Sequence, residues 1–135
     1  MITSIAHTTI YVLNQEEALD FYKNKLGFEV GDDMKIEGDF RWLTVYPKSK
    51  PQTQLVLAEP KEGPMFTKDA AEKIRSLIEE GAFGAGVFET GNCQKTYEEL
   101  VAKGVKFIQP PTEQLYGVEA MGLDNSGNWF SLVQR

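Results

Sequence analysis

Two alternating runs near the end of the chain set the pattern for the rest of it. In residues 116–135, two stretches of strand character flank Asp124-Asn125-Ser126-Gly127-Asn128, a cluster suited to tight turns and left-handed backbone. In the second stretch Trp129, Ser131 and Val133 share one face, and Phe130 and Leu132 share the other. One face is expected to pack on a helix. The other, with a polar Ser131 between two apolar neighbours, is expected to look into whatever space the sheet encloses.

The same alternation opens the chain. Residues 4–12 predict a strand in which His7, Thr9 and Tyr11 alternate with Thr8, Ile10 and Val12, and the more apolar set is expected to face a helix. Asn14 with Glu17 three residues on forms a capping-box pattern, and Gly27 supplies the C-terminal stop of the helix between them. Strands are predicted over 28–36, 40–46 and 52–58, with a loop at 47–51. A different texture follows. Residues 67–80 carry Ala70, Ala71, Ile74, Leu77 and Ile78 on one helical stripe, which predicts a surface-packed linker helix, with a flap or a dimer contact as the functional alternatives.

The opening pattern then recurs. A strand is predicted at 85–90, Asn92 caps a second helix that Gly104 ends, and a strand at 105–108 is expected to break at Pro110-Pro111 before the terminal pair. A strand-helix-three-strand unit occurring twice is an internal repeat, and neither copy is large enough to bury its own sheet. The expected organisation is one domain over 1–135. Its first module covers 1–60, its linker helix 64–81 and its second module 82–135.

Composition narrows the function classes. With a net charge of −6, nucleic acid and anionic membrane surfaces are not expected partners. No apolar run approaches a membrane span, and the N-terminal residues lack the basic and apolar regions of a signal peptide, so a cytoplasmic location is expected. A single cysteine, Cys93, fits a reducing compartment and excludes an internal disulfide or a multi-cysteine metal site. At the first turn of a helix its pKa could be lowered, but no histidine partner is evident and an inert thiol is expected.

With both modules in place, the chain resembles the vicinal oxygen chelate superfamily of glyoxalases, bleomycin-resistance proteins and extradiol dioxygenases. The residues carrying the likeness are His7-Thr8-Thr9-Ile10-Tyr11-Val12, Phe21-Tyr22 and Leu26-Gly27-Phe28. In the second half they are Val87-Phe88-Glu89-Thr90, Tyr97-Glu98-Glu99-Leu100 with Lys103-Gly104-Val105, and 124–134. The resemblance implies an α+β fold of two βαβββ modules whose strands form a shared, curled mixed sheet, the glyoxalase/bleomycin resistance fold. It also implies a ligand or metal held in the cup, and commonly a homodimer.

Metal-using members place ligands on the first and last strands of each module. Here those positions offer His7, then Val56 (with Gln54 and Ala58 on the same face), Ala85 and Ser131. Only the first is a good donor, so no cofactor is expected and a divalent metal is disfavoured, with His7 as its one weak candidate. Catalytic candidates are His7, Glu89 and Glu119. For His7 a cavity-wall role is the plainer alternative, and for the two carboxylates a solvated rim position. The ligand-binding set expected on the cup comprises His7, Thr9, Tyr11, Gln54, Val56 and Ala85, together with Val87, Tyr116, Met121, Trp129 and Ser131. Its aromatic members would suit a flat or hydrophobic molecule, while Phe40 and Trp42 are expected to fill core.

The leading expectation is therefore a cytoplasmic, homodimeric protein that holds a small organic molecule without the usual metal tetrad, with cationic drugs as one ligand class an acidic protein could favour. The alternative is a glyoxalase- or dioxygenase-like enzyme of lyase or isomerase type with an atypical metal site. A partner-binding role through the 67–80 helix comes third.

Overall fold

The computed structural model describes residues 1–135. The chain separates into two compact units, Met1–Arg75 and Ser76–Arg135. The first contains β1 (His7–Tyr11), α1 (Gln15–Asp20), a π-helical turn (Phe21–Lys25), β2 (Phe28–Lys35), β3 (Arg41–Pro47) and β4 (Gln54–Ala58). Helix α2 (Lys68–Glu79) spans the division between the units. The second contains β5 (Gly84–Glu89), α3 (Cys93–Ala102), β6 (Lys106–Gln114), β7 (Gly117–Leu123) and β8 (Trp129–Gln134). This is the α+β architecture of the glyoxalase/bleomycin resistance fold. No helix is long and apolar enough to cross a membrane.

Hydrogen bonding repeats strand for strand. The sheets run β1-β4-β3-β2 and β5-β8-β7-β6, and in each the module's first strand pairs parallel with its last. Both helices start on the same device. The Asn14 side chain accepts from the Glu17 amide at 2.9 Å, and Asn92 accepts from the Lys95 amide at 2.9 Å. Each satisfies an amide that the first helical turn leaves without a partner. Alternation then assigns faces. Ile10, Val12, Leu43, Val45 and Leu57 are buried with Ala18, Phe21 and Tyr22 in the first unit, and Ala120, Phe130 and Leu132 with Leu100 in the second. Fully burying each aliphatic or aromatic side chain of this kind stabilises the fold by about 1.5–3 kcal/mol.

Two elements depart from expectation. The first helix does not run as regular α-helix to Gly27. Leu26 N–H donates to the Phe21 carbonyl at 3.1 Å, a five-residue repeat that widens the last turn. The widened turn leaves the consecutive Phe21 and Tyr22 both buried, with their rings 5.4 Å apart. In the second unit Pro110-Pro111 does not break the strand: β6 continues through both prolines to Gln114. It can do so because β6 is an edge strand, and its pairing with β7 shifts register between Gln109 and Thr112. The missing amide hydrogens therefore fall where no ladder bond needs them.

Candidate functional site

The non-helix face of the first sheet carries the candidate site. Register places His7 opposite Gln54, Thr9 opposite Val56 and Tyr11 opposite Ala58, and Val56 is opposite Thr44 on the other side. Thr9, Val56 and Ala58 are small, so the face is low in its middle. Tyr11 and Trp42 rise beside them. Two connecting segments complete the walls, the turn around Glu37–Phe40 between β2 and β3 and the strap 59–66 after β4. Together they enclose a cavity of about 480 Å³, within the ~300–1,000 Å³ range of small-molecule sites.

Local contacts hold the walls in place. Phe66 on the strap meets Tyr11 edge-to-face at 5.4 Å, and the Gly63 amide donates to the Phe66 carbonyl at 2.9 Å to turn the strap back on itself. Trp42 packs edge-on against His7 at 5.3 Å, and its indole N–H donates to Asp32 Oδ2 at 3.2 Å. Across the β2–β3 turn, Phe40 and Ile36 are joined by the Ile36 N–H to Phe40 carbonyl bond. Phe40 and Trp42, expected as core fillers, are instead wall residues: Phe40 is exposed, Trp42 half-buried, and both line the cavity.

Charge in the cavity is partly spoken for. The Arg41 guanidinium forms a bidentate pair with Asp33, Nε to Oδ1 and Nη2 to Oδ2 both at 2.8 Å, and Nη1 reaches Glu16 at 2.6 Å. The hydrogen bond from Arg41 holds the Asp33 carboxyl below the usual carboxylate range. Donating that bond to Asp33 also raises Arg41. Lys61 Nζ lies 3.5 Å from Glu59. Gln15, from the first turn of α1, is buried and contributes to the cavity lining. Its Nε2 donates to the Arg41 carbonyl at 3.1 Å and to the Leu57 carbonyl at 2.8 Å, while its backbone N–H donates to Glu59 Oε2 at 2.8 Å.

Of the residues singled out from sequence, Thr9, Tyr11 and Val56 line this cavity. His7 stands beside it against Trp42, exposed. Gln54, its register partner, donates from Nε2 to the Pro51 carbonyl at 2.8 Å. The others lie on the second unit. Ala85 is buried where the β5–β8 register shifts between Gly84 and Gly86, and Trp129 covers Gly84 closely enough that a Cβ there would meet the indole at 2.5 Å. Val87 is exposed and paired in register with Ser131, which is in turn opposite Met121. Ser131 Oγ donates to Glu119 Oε2, and Tyr116 Oη donates to Glu119 Oε1 at 2.6 Å. The Ser131 bond first, then Tyr116, keeps the Glu119 carboxyl below its ordinary value. The Glu119 partnership pushes the Tyr116 phenol up. Glu89 pairs with Arg135. Cys93 is buried, and burial raises its thiol rather than activating it.

The metal-ligand positions implied by the resemblance do not assemble a donor set. His7 has an aromatic neighbour, Val56 and Ala85 have no donor atom, and Ser131 is committed to Glu119. Nowhere in the chain do three His, Cys, Asp or Glu side chains gather so as to hold an ion. These residues do not fit the family's metal centre.

Sequence reasoning missed Gln15, Arg41 and the strap 59–66. Gln15 had a signal: with Ala18 and Tyr22 it makes an i, i+3, i+7 stripe on the buried side of the helix. The strap had none, since its walls come from loop conformation.

Comparison with known proteins agrees with this architecture. The chain is 44% identical to UcmS2 over the whole of both chains, with a TM-score of 0.92 between the structures. It is 27% identical to TnmS3, an antibiotic binding protein from Streptomyces sp. CB03234, over 98% of this chain and 96% of that one, with a TM-score of 0.75. An uncharacterised protein of Bacillus subtilis (strain 168), YurT, is 37% identical over 97% of this chain and 98% of its own length. The family profile matches residues 4–132, so the repeated modules, the sheet order and the sequence likeness lead to one assignment: the chain belongs to the Glyoxalase/Bleomycin resistance protein/Dioxygenase superfamily.

Proposed function

We propose that this protein binds a small, flat organic molecule in the cavity of its first module and sequesters it without chemical change. The observation that carries the reading is the cavity itself, about 480 Å³ with Tyr11, Phe40, Trp42 and Phe66 around a floor of small side chains. Aromatic walls on a sheet give large, rigid contact area at low entropic cost. Likeness to TnmS3, an antibiotic binding protein, supports the same class of role here. The reading needs no metal, consistent with the missing donor set.

It extends to a homodimer in the cytoplasm. Family resemblance supports the dimer, and the lone thiol of Cys93 supports a reducing compartment. Light scattering on the purified protein tests the first of these.

The function is tested by isothermal titration with polycyclic aromatic compounds, alongside metal analysis of protein purified without chelator. Saturable binding that Trp42→Ala weakens roughly tenfold, with the compound recovered unaltered, is the expected result. Turnover of the compound, or stoichiometric metal lost on His7→Ala, would overturn it in favour of an enzyme.

A further inference from the structure

The lining of the cavity includes a polar atom that the fold does not use. Gln15 is 7% exposed, and the orientation of its amide is fixed because Nε2 faces two carbonyls, those of Arg41 and Leu57. Both N–H donors are consumed there. Oε1 is left over, with no partner in the protein, on a residue that lines the cavity. A carbonyl in that position is an acceptor waiting for a donor, and leaving it dry under an apolar ligand costs about 1–3 kcal/mol. The chemistry of this lining residue therefore discriminates among molecules of the same shape.

The mouth discriminates by charge. Of the acidic side chains lining the cavity, Glu59 is engaged by Lys61 and by the backbone N–H of Gln15. Glu37, Asp39 and Glu62 are exposed and have no ion-paired or hydrogen-bonded side-chain partner. The two cations in the lining do not offset them, since Arg41 is held by Asp33 and Glu16 and Lys61 by Glu59. The cavity makes the site, and the three carboxylates set its potential. A low-dielectric aromatic wall beside them focuses that potential inward.

We propose that the first-module cavity selects an aromatic ligand bearing a protonated N–H group, its donor received by Gln15 Oε1 and its charge by the field of Glu37, Asp39 and Glu62. The proposal rests on the sequestration reading above and narrows it to one chemical class. Neutral aromatics enter more weakly, and aromatic anions are repelled.

Four tricyclic probes of nearly equal shape separate the two contributions by fluorescence titration. 9-Aminoacridine carries both charge and N–H donors, 10-methylacridinium has charge alone, acridone has a donor alone, and acridine-9-carboxylate is an anion. The expected order places 9-aminoacridine roughly tenfold tighter than 10-methylacridinium or acridone, with the carboxylate weakest. The advantage of 9-aminoacridine over acridone should shrink severalfold between low and high salt. It should also shrink in the triple variant Glu37→Gln, Asp39→Asn, Glu62→Gln, whose three positions are all on the surface. Gln15→Leu is the direct test of the acceptor, and because it could compromise folding, the 10-methylacridinium comparison tests the same atom in the unmodified protein. Equal binding of 9-aminoacridine and 10-methylacridinium overturns the role of Oε1. Acridone or the carboxylate binding as tightly as 9-aminoacridine overturns the charge selection while the sequestration reading stands. Failure of all four to bind overturns both.

Discussion

The two modules share a strand order, a parallel first-to-last pairing and an asparagine cap, yet their open sheet faces do different things. In the first, small side chains at Thr9, Val56 and Ala58 sit low between tall aromatics, and two loops wall in a cavity. In the second, the corresponding strands β7 and β8 carry Glu119 bound to Ser131 and Tyr116, a polar network that satisfies itself. Topology repeats because backbone pairing and caps depend on few residues. Side chains on the non-helix face are free to diverge, and function diverges with them.

The helix-facing layer is where the modules should behave alike. Tyr22 and Phe130 are each fully buried, Tyr22 against Phe21 and Phe28 and Phe130 against Phe88 and Phe107. Tyr22→Ala and Phe130→Ala are each expected to cost about 3–5 kcal/mol in urea denaturation, from lost burial and the cavity left behind. A much smaller loss in one module would break the equivalence, since it would mean that module's core repacks where the other's cannot.

Much of this was legible in the chain. The repeat announced itself through the matched spans Asn14 to Gly27 and Asn92 to Gly104, because capping chemistry is local and needs no tertiary partner. Face assignment along residues 7–12, where Ile10 and Val12 are buried, followed from period-two alternation. Alternation also set Thr9, Tyr11 and Val56 on the open face, and those three line the cavity. What escaped depended on long-range placement. Gln15 joins residues 26 and 42 positions away, and no window of sequence shows that. The same holds for Phe40 and Trp42, whose side of the wall is decided by the β2–β3 turn and by the bulge between Val30 and Asp33. At that bulge Gly31 lies so close to the Gln54 amide and Thr44 hydroxyl that a Cβ would not fit.

The caps sharpen the comparison at intermediate size. Asn14→Ala and Asn92→Ala should each cost about 1 kcal/mol, since each removes one 2.9 Å bond to an exposed first-turn amide. Equal losses would confirm that the two helices start by the same means. A larger loss at Asn14 is the outcome to watch. It would show that the short α-helix and its π-helical turn depend on the cap more than the ten-residue α3 does.

The smallest effect separates the two polar arrangements by pH. Glu119 is held below its ordinary value, so the fold prefers its ionised form, and that contribution is complete above the ordinary carboxylate range and fades as pH falls through the lowered value. Tyr116 is raised, so its contribution is complete below the ordinary phenol range and fades as pH rises through the raised value. The second-module network thus stabilises between two limbs. The Asp33–Arg41 pair has only the acid limb, because Asp33 is lowered and Arg41 stays charged throughout. Denaturation midpoints followed from about pH 3 to about pH 10.5 should therefore lose a slight dependence at both ends in Glu119→Gln, but only at the acid end in Asp33→Asn. All these groups are substantially solvated, so solvent screening keeps the shifts small. An alkaline limb that persists in Glu119→Gln would mean that the Tyr116 phenol owes its shift to something other than the carboxylate it faces.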